Sequence, residues 1–227
     1  MNFDVQTLRI LDIIKDSFFP LLIAGVKFTI PLAVVSFILG SILAMATALA
    51  RISKYKSLVL ISSFYVWIVR GTPLLVQLFI IFYGLPKAGI LIGALPAAII
   101  GFTLNVGAYN SEVIRAAILS IPKGQWEAAS SIGMTHTQAL IRVILPQAAR
   151  VSVPPLANSF ISLVKDTSLA AAITYAEMFQ IAQRITAATY EPLVLYTEAA
   201  FIYLIMCTVL SALQQKAEKK LERYVAR

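Results

Sequence analysis

Charge is scarce in this chain. Only 13% of its 227 residues are Asp, Glu, Lys or Arg, against roughly 25% in a soluble domain. With 59% hydrophobic residues and a mean hydropathy of +0.82, too few charges remain to clothe a water-soluble globule. That argues against intrinsic disorder and against an ordinary cytoplasmic enzyme. Cysteine is almost missing: the single Cys207 permits no intrachain disulfide and no cysteine metal cluster. Histidine is equally rare, and His136 alone cannot form a multi-histidine metal site. None of the ten glycines falls in a Gly-x4-Gly-Lys-Ser/Thr pattern, so no phosphate-cradling loop is present. No nucleophile–base pairing stands out either, and no catalytic residue is assigned. The net charge of +8 lies between long apolar runs, not on one face of a folded domain, which removes the nucleic-acid reading.

What the chain does have is apolar length. A bilayer core of about 30 Å takes ~20 residues of helix at 1.5 Å rise. Five segments qualify: 18–50, 58–85, 90–119, 151–173 and 193–213. The expected fold is therefore all-α, a polytopic membrane protein with five transmembrane helices. Pro31 is a candidate kink site in the first span, since it lacks a helix-donating N–H. The start of the chain lacks a basic n-region, and the apolar run that follows is too long for a signal-peptide core. Leu8, Leu11, Ile14 and Phe18 recur at helical spacing beside Asp12, Lys15 and Asp16, so residues 1–17 are expected to form an interfacial amphipathic segment.

Basic residues set the expected orientation. Arg51, Lys54 and Lys56 share the first connection; Lys123, Arg142 and Arg150 share the third. Lys216, Lys219, Lys220, Arg223 and Arg227 fall in the tail, 216–227. With five spans these groups fall on one side, giving an outside N-terminus and a cytoplasmic C-terminus.

The longest cytoplasmic connection, about 120–150, is neither apolar enough to span nor polar enough to be a slack linker. Pro122 suits a helix start, and Glu127 in the first turns complements the helix dipole. Gly133 suits the left-handed residue that ends such a helix, and Thr135 can cap a second helix running to Leu145, where Pro146 stops or kinks it. The expectation is a helix–Gly–helix elbow between spans 3 and 4.

Glu127-Ala128-Ala129, Gly133 and Val143-Ile144-Leu145-Pro146 together resemble the EAA loop of bacterial ABC importer permeases. The family favours Ile where this chain has Val143. Arg70-Gly71-Thr72-Pro73, Tyr109 with Glu112 and Arg115, Lys123-Gly124-Gln125 and Lys165-Asp166-Thr167-Ser168-Leu169 resemble the polar amino-acid branch of that family, the importers of histidine, glutamine, arginine and cystine. The resemblance covers about 20–215, and 18–215 is taken as the transmembrane domain. The stretch from Lys123 to Met134, with Tyr83-Gly-Leu-Pro and the stretch from Asn158 to Ala170, looks most like the cystine-importing members. The resemblance implies that the elbow (Gln125, Glu127, Ala128, Ala129, Gly133, Leu145, Pro146) docks on a cytoplasmic ATPase dimer. It also implies an extracytoplasmic solute-binding protein, a second permease copy or a paralogue, and a multi-pass place in the bacterial cell membrane. ATP–Mg would then bind the partner, and this chain would hold no cofactor.

Charged residues inside spans are costly and face a protein interior or an aqueous cavity. Lys27, Arg70, Glu112, Lys165, Asp166 and Glu198 all fall there. Arg70, Lys165 and Asp166 come out ~20 Å from the cytoplasmic side at 1.5 Å per residue, and Glu112 ~10–12 Å. The expected substrate path comprises Arg70, Gly71, Thr72, Pro73, Glu112, Asp166, Thr167 and Ser168. Thr72 and Pro73 can restart a helix whose free N–H groups recognise a carboxylate. Glu112 and Asp166 are candidates for an ammonium. The competing structural reading pairs Glu112 with Arg115, and Arg70 with Asp166. At the level of function, the alternative is an ion-coupled secondary transporter or channel acting without an ATPase. A membrane scaffold or receptor without transport is disfavoured by the clustered charges.

Overall fold

The computed structural model describes residues 2–222, with side chains from 6 to 219. Arg223 and Arg227 of the predicted basic tail, and the side chain of Lys220, lie outside the described residues. Every regular element among them is helical. The first run is continuous: α1 (Asn2–Ala24), a π segment (Gly25–Thr29) and α2 (Ile30–Arg51). The predicted amphipathic segment is helical and passes into the first span without a break.

After a short turn come α3 (Lys56–Gly71) and α4 (Leu74–Phe79), then a π segment (Ile80–Gly84) and a 3-10 turn (Leu85–Ala88). The second predicted span is thus broken between Gly71 and Leu74. Pro73 explains the break. It removes an N–H and drives the preceding residue out of the helical region, and Thr72 is extended at φ −124°, ψ 147°. The restart falls at Leu74, one residue past the expected Pro73.

The remaining elements are α5 (Ala94–Leu119), α6 (Lys123–Ser131), α7 (His136–Ala139), a π segment (Leu140–Ile144), α8 (Leu145–Asp166), a 3-10 stretch (Thr167–Ile173), α9 (Met178–Thr189) and α10 (Pro192–Glu222). Gln6–Arg51 and Pro192–Lys219 are long and apolar enough to cross a membrane, and the bent pair adds a third candidate. Helices α5 and α8, at 26 and 22 residues, have the length. Their apolar runs are diluted by Asn105, Asn110 and Ser111 in α5 and by Gln147, Ser152 and Asn158 in α8.

Pro146 does not stop the helix, which was one of the two outcomes expected of it. The chain stays helical from His136 to Asp166, with the π segment 140–144 ahead of the proline. The other two π segments stand in the same relation to Pro31 and Pro86, each ending two residues before the ring. A proline clashes with the carbonyl four residues back, and a local i→i+5 turn moves that carbonyl aside while keeping the helix intact. Pro154 and Pro155 lie within α8 without such a segment.

The chain divides into two compact units. The first holds Met1–Ser36, Leu74–Phe102 and Ile161–Ser211; the second holds Phe37–Pro73, Thr103–Phe160 and Ala212–Arg227. In the second, buried Ala44, Ala48, Ile114, Ala117, Ile118, Ile121, Ile144 and Ala148 form one cluster with Trp126 and Leu140 packed against it. Small residues let membrane helices approach closely where no water-driven force separates them from lipid. Gly107 shows how closely: a Cβ there would lie 2.6 Å from the Tyr65 hydroxyl and 2.7 Å from Leu43.

Candidate functional site

The elbow of the second unit is built largely by local chemistry. Pro122 is the N-cap of α6, so the helix begins at Lys123. Glu127 consequently falls in the second turn, past the positions where a carboxylate feels the helix dipole most. Gly133 has φ +80°, the left-handed conformation expected of it. Its N–H donates to Ser130 O at 2.9 Å, and Met134 N–H donates to Ala129 O at 3.1 Å, which closes the end of α6. Thr135 then starts α7 through a capping box: Gln138 N–H donates to Thr135 Oγ1 at 3.3 Å, and Thr135 N–H donates to Gln138 Oε1 at 2.9 Å.

The Ala-Ala pair splits between inside and outside. Ala129 is buried, while Ala128, Gln125, Glu127 and Gly133 are exposed. Gln147 Nε2 donates to Gln125 Oε1 at 3.1 Å, tying α6 to α8, and Leu145 packs on the buried cluster while Pro146 stays exposed. Trp126 and His136 stack face to face, centroids 4.6 Å apart at 14°. The elbow is therefore stiff at its base and open on its outer face.

The charged candidates of this unit come together in an unforeseen way. Glu112 is bound on both oxygens: Arg115 Nε and Nη2 donate to Oε2 at 3.2 and 2.9 Å, and Arg51 forms an ion pair with Oε1. The pairing with Arg115 is the structural alternative anticipated above. Arg51 had been assigned only to topology, because its position at a helix end says nothing of where its long side chain reaches. Arg70 is exposed, and its guanidinium lies 5.2 Å above the Tyr109 ring. Gly71, Thr72 and Pro73 are exposed at the helix break, and Thr72 Oγ1 donates to Ile68 O at 2.9 Å.

In the first unit, Asp166 is exposed at the end of α8, Thr167 is fully buried with its hydroxyl on Val164 O, and Ser168 Oγ donates to Lys165 O at 2.8 Å. Lys165 and Lys27 are exposed. Glu198 is buried and 2.5 Å from the Ser17 hydroxyl.

The most enclosed carboxylate among the described residues lies in the connection after the fourth predicted span. Glu177 is 0% exposed and caps α9, accepting from Gln180 N–H at 2.9 Å. It also accepts from the Tyr203 hydroxyl at 2.9 Å and the Thr29 hydroxyl at 3.3 Å. Burial pushes the Glu177 carboxyl above its ordinary range, and the donors from Phe179, Gln180, Tyr203 and Thr29 pull it partly back. An acid directly before the helical run Met178–Thr189 was the available signal. Among the described residues, no cluster of three or more His, Cys, Asp or Glu could hold a metal ion.

Comparison with known proteins gives the site a context. Residues 36–223 match the family described as binding-protein-dependent transport system inner membrane component. The chain is 58% identical to the L-cystine transport system permease protein TcyB of Bacillus subtilis (strain 168), over 95% of this chain and 93% of that protein. It is 42% identical to the probable amino-acid ABC transporter permease protein YckA of the same organism, over 91% and 92% of the two chains. Among solved structures, an amino acid ABC transporter crystallised with histidines superimposes with a TM-score of 0.86 at 36% identity, covering 92% of this chain and 97% of that one.

Proposed function

From the premise that this chain belongs to the family of binding-protein-dependent transport system inner membrane components, and is the membrane-embedded permease component of an ABC importer of amino acids, we infer that its substrate is L-cystine. Such an importer works with an ATPase and a binding protein. In this reading the binding protein delivers cystine to the outer face, two permease copies (or this chain and a paralogue) enclose the path, and ATP–Mg binds only the ATPase dimer. Five spans carry the chain, with the N-terminus outside and the C-terminus in the cytoplasm.

The observation that carries the mechanism is the elbow: a stiff pair of short helices whose inner face is sunk in the buried cluster around Ile118 and Ile144 and whose outer face is free. Force applied to Ala128 or Glu127 by closing ATPases passes through Ala129, Trp126 and Gln125 into α8. The exposed Arg70, Lys165 and Asp166 support an aqueous path, since charges within spans cannot face acyl chains. The cystine assignment rests on the 58% identical relative that bears that name.

Uptake of radiolabelled L-cystine into proteoliposomes tests the reading directly. We expect uptake only with ATPase, ATP and binding protein together; equal uptake without the ATPase would establish the ion-coupled alternative. Gly133→Pro, which cannot adopt φ +80°, should lose uptake while the permease still inserts in the membrane. Normal uptake by that variant would overturn the coupling role of the elbow.

A further inference from the structure

We propose that a cavity in the first unit, between the end of α8, the start of α9 and the outer half of α10, binds a neutral amino-acid zwitterion and excludes cationic ones. The proposal rests on the import reading and adds to it a location and a selectivity. The cavity has a volume of about 510 Å³ and is lined by Lys165, Ser168, Phe179, Tyr196, Tyr203 and Cys207, together with small and apolar residues of α10. That volume lies within the usual range for small-molecule sites, roughly 300–1,000 Å³. From Tyr196 to Cys207 the helix rises about 16 Å, so the cavity is elongated enough for a two-headed amino acid.

Its chemistry is one-sided. Lys165 supplies a cation, and no carboxylate is among the lining residues. A substrate carboxylate is therefore matched, whereas the cationic side chain of arginine or lysine would meet a like charge, and the carboxylate beside it, Asp166, is not in the cavity wall. The ammonium of the substrate has other partners. Ser168 donates its hydroxyl hydrogen to Lys165 O at 2.8 Å, which leaves the lone pairs of its oxygen free to accept. Tyr203 has given its hydroxyl to Glu177, so it offers the cavity its ring; Phe179 and Tyr196 add two more, with centroids 5.5 Å apart. Aromatic faces attract an ammonium without adding a fixed negative charge. Only Ser168 among these was a sequence-level candidate, because the rings come from two different helices.

Cys207 is the only thiol of the chain and lies in this wall, which makes it a built-in reporter. The test uses the full permease–ATPase complex in lipid nanodiscs, without binding protein. Cys207 is alkylated with N-ethylmaleimide in the presence of L-cystine or L-arginine. At cystine concentrations four times the dissociation constant, alkylation should slow about fivefold, and arginine should have no effect. Intact mass separates simple masking from exchange, in which the Cys207 sulfur attacks the disulfide, one half-cystine joins it and the other leaves as cysteine thiolate. Either result places cystine at Cys207, and both should vanish in Lys165→Met and persist in Lys165→Arg. Alkylation at the unliganded rate in nanodiscs, with a complex that imports cystine once moved to proteoliposomes with its binding protein, would overturn the cavity assignment while leaving the import reading intact. Protection that survives Lys165→Met would overturn the role of the lysine. A complex that imports no cystine under any condition would overturn the import reading itself.

Discussion

Two carboxylates withdrawn from solvent, one in each unit, are held by opposite means. Glu112 is gripped by two guanidiniums and keeps 22% of its side chain exposed. Glu177 is fully buried and meets only neutral donors, two hydroxyls and backbone N–H groups. The first arrangement carries a surplus of positive charge, so the acid is what keeps Arg51 and Arg115 together. The second uses a carboxylate as a junction, joining the π segment 25–29, α9 and α10 through hydrogen bonds that an uncharged group of the same shape could accept. Charge is essential at one position, and shape at the other.

The largest effect should come from Glu112→Gln. It leaves two partly buried arginines facing each other, and the loss should approach ~3 kcal/mol, the low end for breaking a buried ion pair. Thermal unfolding of the purified permease in detergent would read it, and removing one cation as well, in Glu112→Gln with Arg115→Gln, should recover part of the loss. No recovery in the double variant would mean that charge balance is not what Glu112 supplies. Next is Glu177→Ala, which strips the cap of α9 and takes the carboxylate acceptor from the Thr29 and Tyr203 hydroxyls, at about 2 kcal/mol. The smallest change is Glu177→Gln, expected to cost about 1 kcal/mol or less, because the amide oxygen can take the place of Oε1 and keep the Gln180 N–H, while the NH2 group, in the place of Oε2, donates to a hydroxyl oxygen that turns to accept. If Glu177→Gln proved as damaging as Glu177→Ala, the contrast between charge and shape would collapse.

Features that depend on residues within four positions of each other were legible in the sequence. Gly133 at positive φ, the Thr135 cap and the helix break at Pro73 all follow from local backbone rules, and all are present. The partner of a long charged side chain was not legible, because Arg51 reaches Glu112 across two helices and Glu177 meets Thr29 from 148 positions away. That the helix runs on through Pro146 was not legible for a related reason. Local rules say that a proline breaks a helix, but a π segment ahead of it relieves the clash, and nothing in the residues Leu140–Ile144 announces that turn. Both alanines of the elbow were grouped as docking residues, whereas a 100° step per residue sends Ala128 outward and Ala129 inward.

The π segment at 140–144 also sets a phase. A π turn closes over five residues where an α turn closes over four, so the helix beyond it is angularly offset as if one residue had been inserted. The offset is about 100°. The face that α7 turns toward its surroundings and the face that α8 presents are therefore clocked against each other by this one extra residue. Deleting a single residue between Leu140 and Ile144 would change one side chain and still rotate α7 against α8 by about that angle. In this protein the alignment of the elbow is stored as an angular register in the backbone.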